Sequence, residues 1–157
     1  MASEHRVTAA TTVPAPLERV WSIVSDLHRY ADWVESTIEV LRADDEIGPG
    51  ARYEERTRLS GLWTATTQWT VTEFAPMERI AFVAEGPRVV RSLALEMTLE
   101  RHEEGTEAAT TYSYRMRYGP LGALLELVVR GNVVNDQRRS LRTLSYLAER
   151  ADDDPAT

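Results

Sequence analysis

Val7, Ala9, Thr11 and Val13 alternate with polar neighbours, the period of a strand with one buried face. Pro14 and Pro16 end that strand, because neither can donate to a ladder. The period then lengthens. Leu17, Val20, Trp21, Val24 and Leu27 recur at three- and four-residue steps, one face of a short helix, with Pro16 suited to its first turn. Asp26 is placed to cap a second short helix running through Tyr30 to about Trp33. From Ile38 to Tyr118 the pattern returns to strands: "IEVLRA", "ARYEERTRL", "LWTATTQWTVTEF", "RIAFVAE", "VVRSLALEMTLER" and "EAATTYSYRMRY". Gly48-Pro49-Gly50, Ser60-Gly61, Ala75-Pro76-Met77-Glu78, Gly86-Pro87 and "HEEGT" separate them as turns. After Gly119-Pro120, "LGALLELVVRGNVVNDQRRSLRTLSYLAER" reads as a long helix with its stripe at Val134, Leu141, Leu144 and Leu147/Ala148. Gly131-Asn132 predicts a kink or break within it.

The order of elements predicts an α+β fold: a seven-stranded curved antiparallel sheet around a long C-terminal helix, with two short helices after the first strand. One apolar sheet face must be covered, and only the terminal helix is long enough. A curved sheet wrapped on one helix closes well at one end and leaves a cavity at the other. The two short helices are expected at that rim, with Tyr30 and Trp33 bordering the opening. Residues 1–150 read as a single domain and 151–157 as a disordered acidic tail.

Composition narrows the picture. The chain has 157 residues and 43% hydrophobic content, enough for a real core. Four Trp and six Tyr outnumber two Phe, which favours rings with a polar handle at surfaces part apolar and part wet. The net charge is −7, so nucleic acid is not an expected partner. Every basic side chain other than the histidines is Arg, and Cys is absent, which excludes disulfide and thiol chemistry. The first residues lack a signal-peptide core, and no apolar run approaches the roughly 20 residues a bilayer requires. A cytoplasmic protein with no membrane insertion is expected. His5, His28 and His102 are scattered and no metal-ligand spacing exists. Phosphate-loop, nucleophile-elbow and HExxH motifs are missing too, so neither a metal nor a cofactor is expected.

The stretches "VPAPLERVWSIVSDLHRYADW", "GPGARY", "WTVTEFAPMERIAF", "EEGT", "RYGPLGALL" and "SLRTL" resemble the polyketide cyclase/dehydrase family of the START-like helix-grip superfamily. The resemblance covers about Arg6 to Glu149. It implies a helix-grip domain with a small hydrophobic ligand in its cavity.

Alternation names the candidates for that cavity. Trp63, Ala65, Thr67, Trp69 and Val71 share one phase. Val89, Arg91, Leu93, Leu95, Met97 and Leu99 share another, and Ala108, Thr110, Tyr112, Tyr114 and Met116 a third. Trp63, Trp69, Tyr112 and Tyr114 stand beside small Ala65, Thr67 and Thr110, which suggests a hole rather than a filled layer. Tyr112 or Tyr114 is suited to orient a ligand carbonyl. The ligand-binding set is therefore Tyr30, Trp33, Trp63, Thr67, Trp69, Arg91, Leu93, Met97, Thr110, Tyr112, Tyr114, Val134, Asn135 and Arg138. Gln137 lies on the same stretch of helix. Arg91 is the oddity among apolar neighbours. It must reach the rim, pair with Glu35 or Glu55, or meet a polar ligand group. The carboxylate runs Asp44-Asp45-Glu46, Glu54-Glu55 and Glu103-Glu104 read as solvated surface.

Three functions fit these residues. A binding module would sequester, carry or present a hydrophobic or aromatic, polyketide-like metabolite in natural-product biosynthesis or self-protection. A polyketide cyclase, aromatase or dehydratase would use Arg91 and Tyr114 as donors to an enolate. Against the family's pattern, however, Thr67 and Trp69 stand on the middle strand without an Arg-Ser-Trp cluster. A protein-partner role would use "LGALLELVV" as a docking helix, the chain being a monomer or homodimer.

Overall fold

A computed structural model describes residues 4–60, 63–86, 90–117 and 120–150. The strands are β1 (Glu4–Val13), β2 (Thr37–Ala43), β3 (Arg52–Ser60), β4 (Trp63–Ala75), β5 (Arg79–Ala84), β6 (Val90–His102) and β7 (Gly105–Met116). The helices are α1 (Leu17–Val24), α2 (Tyr30–Trp33) and α3 (Pro120–Arg150), with a 3-10 turn at Leu27–Arg29. Among the described residues the strands form one seven-stranded sheet in the order β1-β7-β6-β5-β4-β3-β2, each pair antiparallel. This is the expected meander, with β1 returning to the edge beside β7. The expected turn residues Gly61, Pro87 and Gly119, inward-phased Val89 and the acidic tail lie outside the described residues.

The Pro-Ala-Pro break is pinned by the β6–β7 turn. Gly105 takes φ 137°, and a Cβ there would meet Val13 O at 2.1 Å and Ala15 N at 2.9 Å, so only glycine fits. Thr106 Oγ1 donates to Ala15 O at 2.8 Å in the core. The chain then leaves the sheet, and the Pro16 carbonyl accepts from Arg19 and Val20 N–H to start α1. Helix α1 buries Leu17, Val20, Ile23 and Val24. Trp21, expected on the buried face, is only partly buried and packs its ring 5.6 Å from Phe74. Asp26 caps the 3-10 turn by accepting from His28 N–H at 3.1 Å.

Helix α3 runs unbroken through Gly131 and Asn132, both exposed. The expected break is therefore absent. At 31 residues the helix is about 46 Å long. Its two halves pack differently. Leu141, Leu144 and Ala148 are fully buried, where α3 lands on the short helices: Glu35 N–H donates to Ser140 Oγ at 2.9 Å, and Arg19 Nη1 to Ala148 O at 3.2 Å. In the preceding half, Val129 and Val133 are only partly buried. Among the described residues no helix is long and apolar enough to cross a membrane.

Candidate functional site

The concave face of the sheet, under α3, collects an uninterrupted chain of rings. Trp33 meets Tyr30 at 5.3 Å between centroids, and Tyr30 meets Tyr53 at 5.1 Å. Tyr53 stacks on Trp69 at 6.4 Å, Trp69 meets Tyr112 at 6.5 Å, and Tyr112 meets Tyr114 at 6.1 Å. The chain begins at α2 and runs across β3 and β4 to the end of β7 that leads towards α3. Leu95 and Tyr112 face each other across the β6–β7 pair and are only half-buried. Both strands are paired on each side, so that surface opens toward the helix. Val129 and Val133, in the N-terminal half of α3, are likewise partly buried and pack against the same core cluster.

A single carboxylate sits at the sheet side of this interior. Glu55 is 3% exposed. It accepts from Thr37 Oγ1 at 2.5 Å, Thr57 Oγ1 at 2.9 Å and Trp69 Nε1 at 2.8 Å. The donors come from β2, β3 and β4, which fixes the register of that side of the sheet. Among the described residues no guanidinium pairs with Glu55 and no Arg is buried. Burial first, and the charge of Glu55 second, push the phenols of Tyr30, Tyr53 and Tyr112 well up from 10.0. They stay neutral donors at any physiological pH. Three buried polar atoms, Trp33 Nε1, Arg79 Nε and the Tyr114 hydroxyl, have no hydrogen-bond partner among the described residues. Such atoms are costly unless a guest or water meets them.

The predicted residues divide into three groups. Thr67, Trp69, Leu93, Met97, Thr110 and Tyr114 are buried on the concave face, with Tyr112 half-buried among them. Thr110 Oγ1 donates to Gln137 Oε1 at 3.1 Å, so Gln137 rather than its neighbours is the polar residue α3 turns inward. Tyr30 and Trp33, at 2% and 4% exposure, do not border an opening. They are core, because the C-terminal half of α3 seats on them, and Tyr30 spends its hydroxyl on Val24 O at 2.8 Å. Trp63 is 77% exposed at the tip of β4, and Val134 is half-buried outside the core cluster. Asn135 and Arg138 are exposed on α3. Arg91 is exposed because a register shift between Val90 and Ser92 turns Val90 inward in its place.

Sequence reasoning missed Glu55, although alternation puts Ala51, Tyr53, Glu55 and Thr57 on one face. Asp136 was also missed. Burial first, and Glu35 nearby, hold its carboxyl above 3.8, with Arg139 and Arg58 pulling the other way. The folded chain thus binds that proton more tightly than the unfolded chain. The favourable contribution is complete below 3.8 and fades as pH rises through the raised value. Asp136→Asn is therefore expected to raise Tm at neutral pH and to leave it unchanged below pH 3.8, as thermal unfolding at both pH values will read.

Residues 4–149 match the profile of a family described as "Polyketide cyclase / dehydrase and lipid transport". No curated protein matches the chain in sequence. Solved structures share the architecture at low identity. The aromatase/cyclase Zhui from Streptomyces sp. R1128 is 21% identical over 94% of this chain and 95% of its own, with a TM-score of 0.72. SA2116 from Staphylococcus aureus, a protein of unknown function, is 12% identical over 98% of both chains, with a TM-score of 0.75. The di-domain ARO/CYC BexL from the BE-7585A biosynthetic pathway is 19% identical, with a TM-score of 0.76. The match covers 93% of this chain and 50% of BexL, so the chain spans about half the length of that protein. Likeness at these identities speaks to the fold.

Proposed function

Because the chain belongs to the polyketide cyclase/dehydrase and lipid transport family, we propose that it has a hollow under the N-terminal half of α3 and binds there a small, largely apolar aromatic guest of polyketide type. Binding would serve to carry, present or sequester the guest. The observation that carries this reading is the half-burial of Leu95 and Tyr112 at the centre of a ring-lined concave face. An interior meant only as core would cover them, since packed interiors leave few voids larger than a water. Flat rings along the wall suit a flat guest, and neutral phenols offer hydrogen bonds to its carbonyls. Both solved aromatase/cyclases named above suggest the same guest class.

A carrier is favoured over a cyclase that relies on a cation. Ala65, Thr67 and Trp69 line that face of β4 without an Arg, and exposed Arg91 does not supply one. Titration with 1,8-dihydroxyanthraquinone tests the reading by tryptophan fluorescence. Saturable quenching at one guest per chain is expected, since Trp69 and Trp33 lie in the ring chain. Unsaturable quenching across the solubility range would count against it.

A further inference from the structure

The three most exposed large apolar side chains among the described residues are Trp63, Leu127 and Val128, at 77%, 71% and 56%. All three stand at one end of the sheet. Trp63 opens β4 opposite Ser60, the last residue of β3. Leu127 and Val128 follow Glu126, whose Oε1 lies 2.8 Å from His5 Nδ1. His5 is the second residue of β1 and pairs with Tyr114, two residues before the end of β7. This is the end at which β3, β5 and β7 finish and β4, β6 and α3 begin.

Charge is divided between the two ends. Arg58 on β3, Arg91 on β6, Arg115 and Arg117 at the finish of β7, and Arg130 on α3 are all exposed at the apolar end. Glu4, Glu85 and Glu126 share that end and are outnumbered, and Glu4 lies 3.7 Å from Arg115. The opposite end is acidic. Asp44, Asp45 and Glu46 follow β2, and Glu103 and Glu104 lie between β6 and β7, all exposed. The 13 residues of β6 join the two ends, about 40 Å of strand and several Debye lengths. A negative surface that meets the arginine end is therefore screened from the acids at the other, despite the net charge of −7.

We propose that this end docks the protein on the anionic surface of a lipid bilayer. Trp63, Leu127 and Val128 enter the boundary between headgroups and acyl chains, and the arginines pair with lipid phosphates. Docking needs no spanning segment, and among the described residues no helix is long and apolar enough to cross a membrane. An acidic protein would also suit the arginines. A bilayer suits the apolar residues better, because its interface takes an amphipathic ring without a pocket shaped to it, whereas a protein partner needs a complementary surface. The docking surface lies beyond the guest reading and does not rest on it.

The test sediments the full chain, with no guest added, on vesicles of phosphatidylcholine alone or with about 30% phosphatidylglycerol. Co-sedimentation with the anionic vesicles alone is expected, falling steeply as salt is added. Arg91→Gln should weaken it about 5-fold and Trp63→Ser about 10-fold. Tm should not move in either, since both side chains are exposed. Lipids brominated near the headgroup should quench wild-type tryptophan fluorescence. Trp63→Phe should still sediment but lose that quenching, because Trp33 and Trp69 are buried and Trp21 is partly buried. Absence of sedimentation with anionic vesicles overturns the proposal, as does sedimentation that Trp63→Ser and Arg91→Gln leave unchanged. Retention on immobilised poly-glutamate but not on anionic vesicles would assign this end to an acidic protein and overturn the membrane reading.

Discussion

Replacing Glu55 by Ala lowers the unfolding free energy by about 3 kcal/mol. Urea denaturation reads that loss directly, and Tm falls by roughly 9 °C for a domain of this size. Three hydrogen bonds to a buried charge are lost together. Two of the abandoned donors are hydroxyls that rotate to new partners, and Thr57 Oγ1 already lies 3.4 Å from Thr67 Oγ1. The third, Trp69 Nε1, is fixed by its ring and is left facing a cavity. Relief from burying an uncompensated charge offsets part of the loss, which is why the total stays below the sum of three charged bonds. Glu55→Gln separates the contributions. Its amide oxygen still takes Thr57 and Trp69, and its NH2 donates to a reoriented Thr37 hydroxyl, so the cost is about 1 kcal/mol or less. The Gln variant also removes a charge that raises Tyr53 and Tyr112. Ultraviolet titration should find those phenols ionising at lower pH than in the wild type. An Ala variant as stable as the wild type would show that Glu55 is not the anchor of this network.

What alternation shows of the sheet, it shows well. The phases read for β4, β6 and β7 place Thr67, Trp69, Leu93, Met97, Thr110, Tyr112 and Tyr114 on the face the structure gives them. It fails where the ladder is interrupted. The shift between Val90 and Ser92 moves Arg91 to the other side, as a one-residue slip must. Glu55 was hidden for a different reason. An acidic pair inside a charged strand reads as surface, and that chemical prior overrode the alternation that places Glu55 on the same face as Tyr53 and Thr57. Tyr30 and Trp33 sit on a helix of four residues, too short to have a periodic stripe. Their burial depends on where α3 ends, a tertiary fact.

Leu95→Trp abolishes binding of 1,8-dihydroxyanthraquinone, with at least about a 100-fold loss of affinity, while Tm moves by no more than a few degrees. The reasoning turns on volume. Leu95 sits on an interior strand between Phe82 and Tyr112, on the concave face, and is only half-buried. A Trp there adds a ring system at the centre of the proposed guest site. If the space is empty, the ring fills it, gains contacts with Tyr112 and Val133, and excludes a flat guest of its own size. If the space is instead filled by side chains, the same substitution overpacks the core. It then costs about 1–3 kcal/mol or more, a drop in Tm that cannot be mistaken for tolerance. The two measurements therefore cross. Retained stability with lost binding establishes a guest site under α3, whereas lost stability would mean that the interior is solid. Leu95→Ala completes the series: with a cavity already open to the guest, it should enlarge the hollow and leave quenching saturable. In a closed core it would only destabilise by about 2–5 kcal/mol.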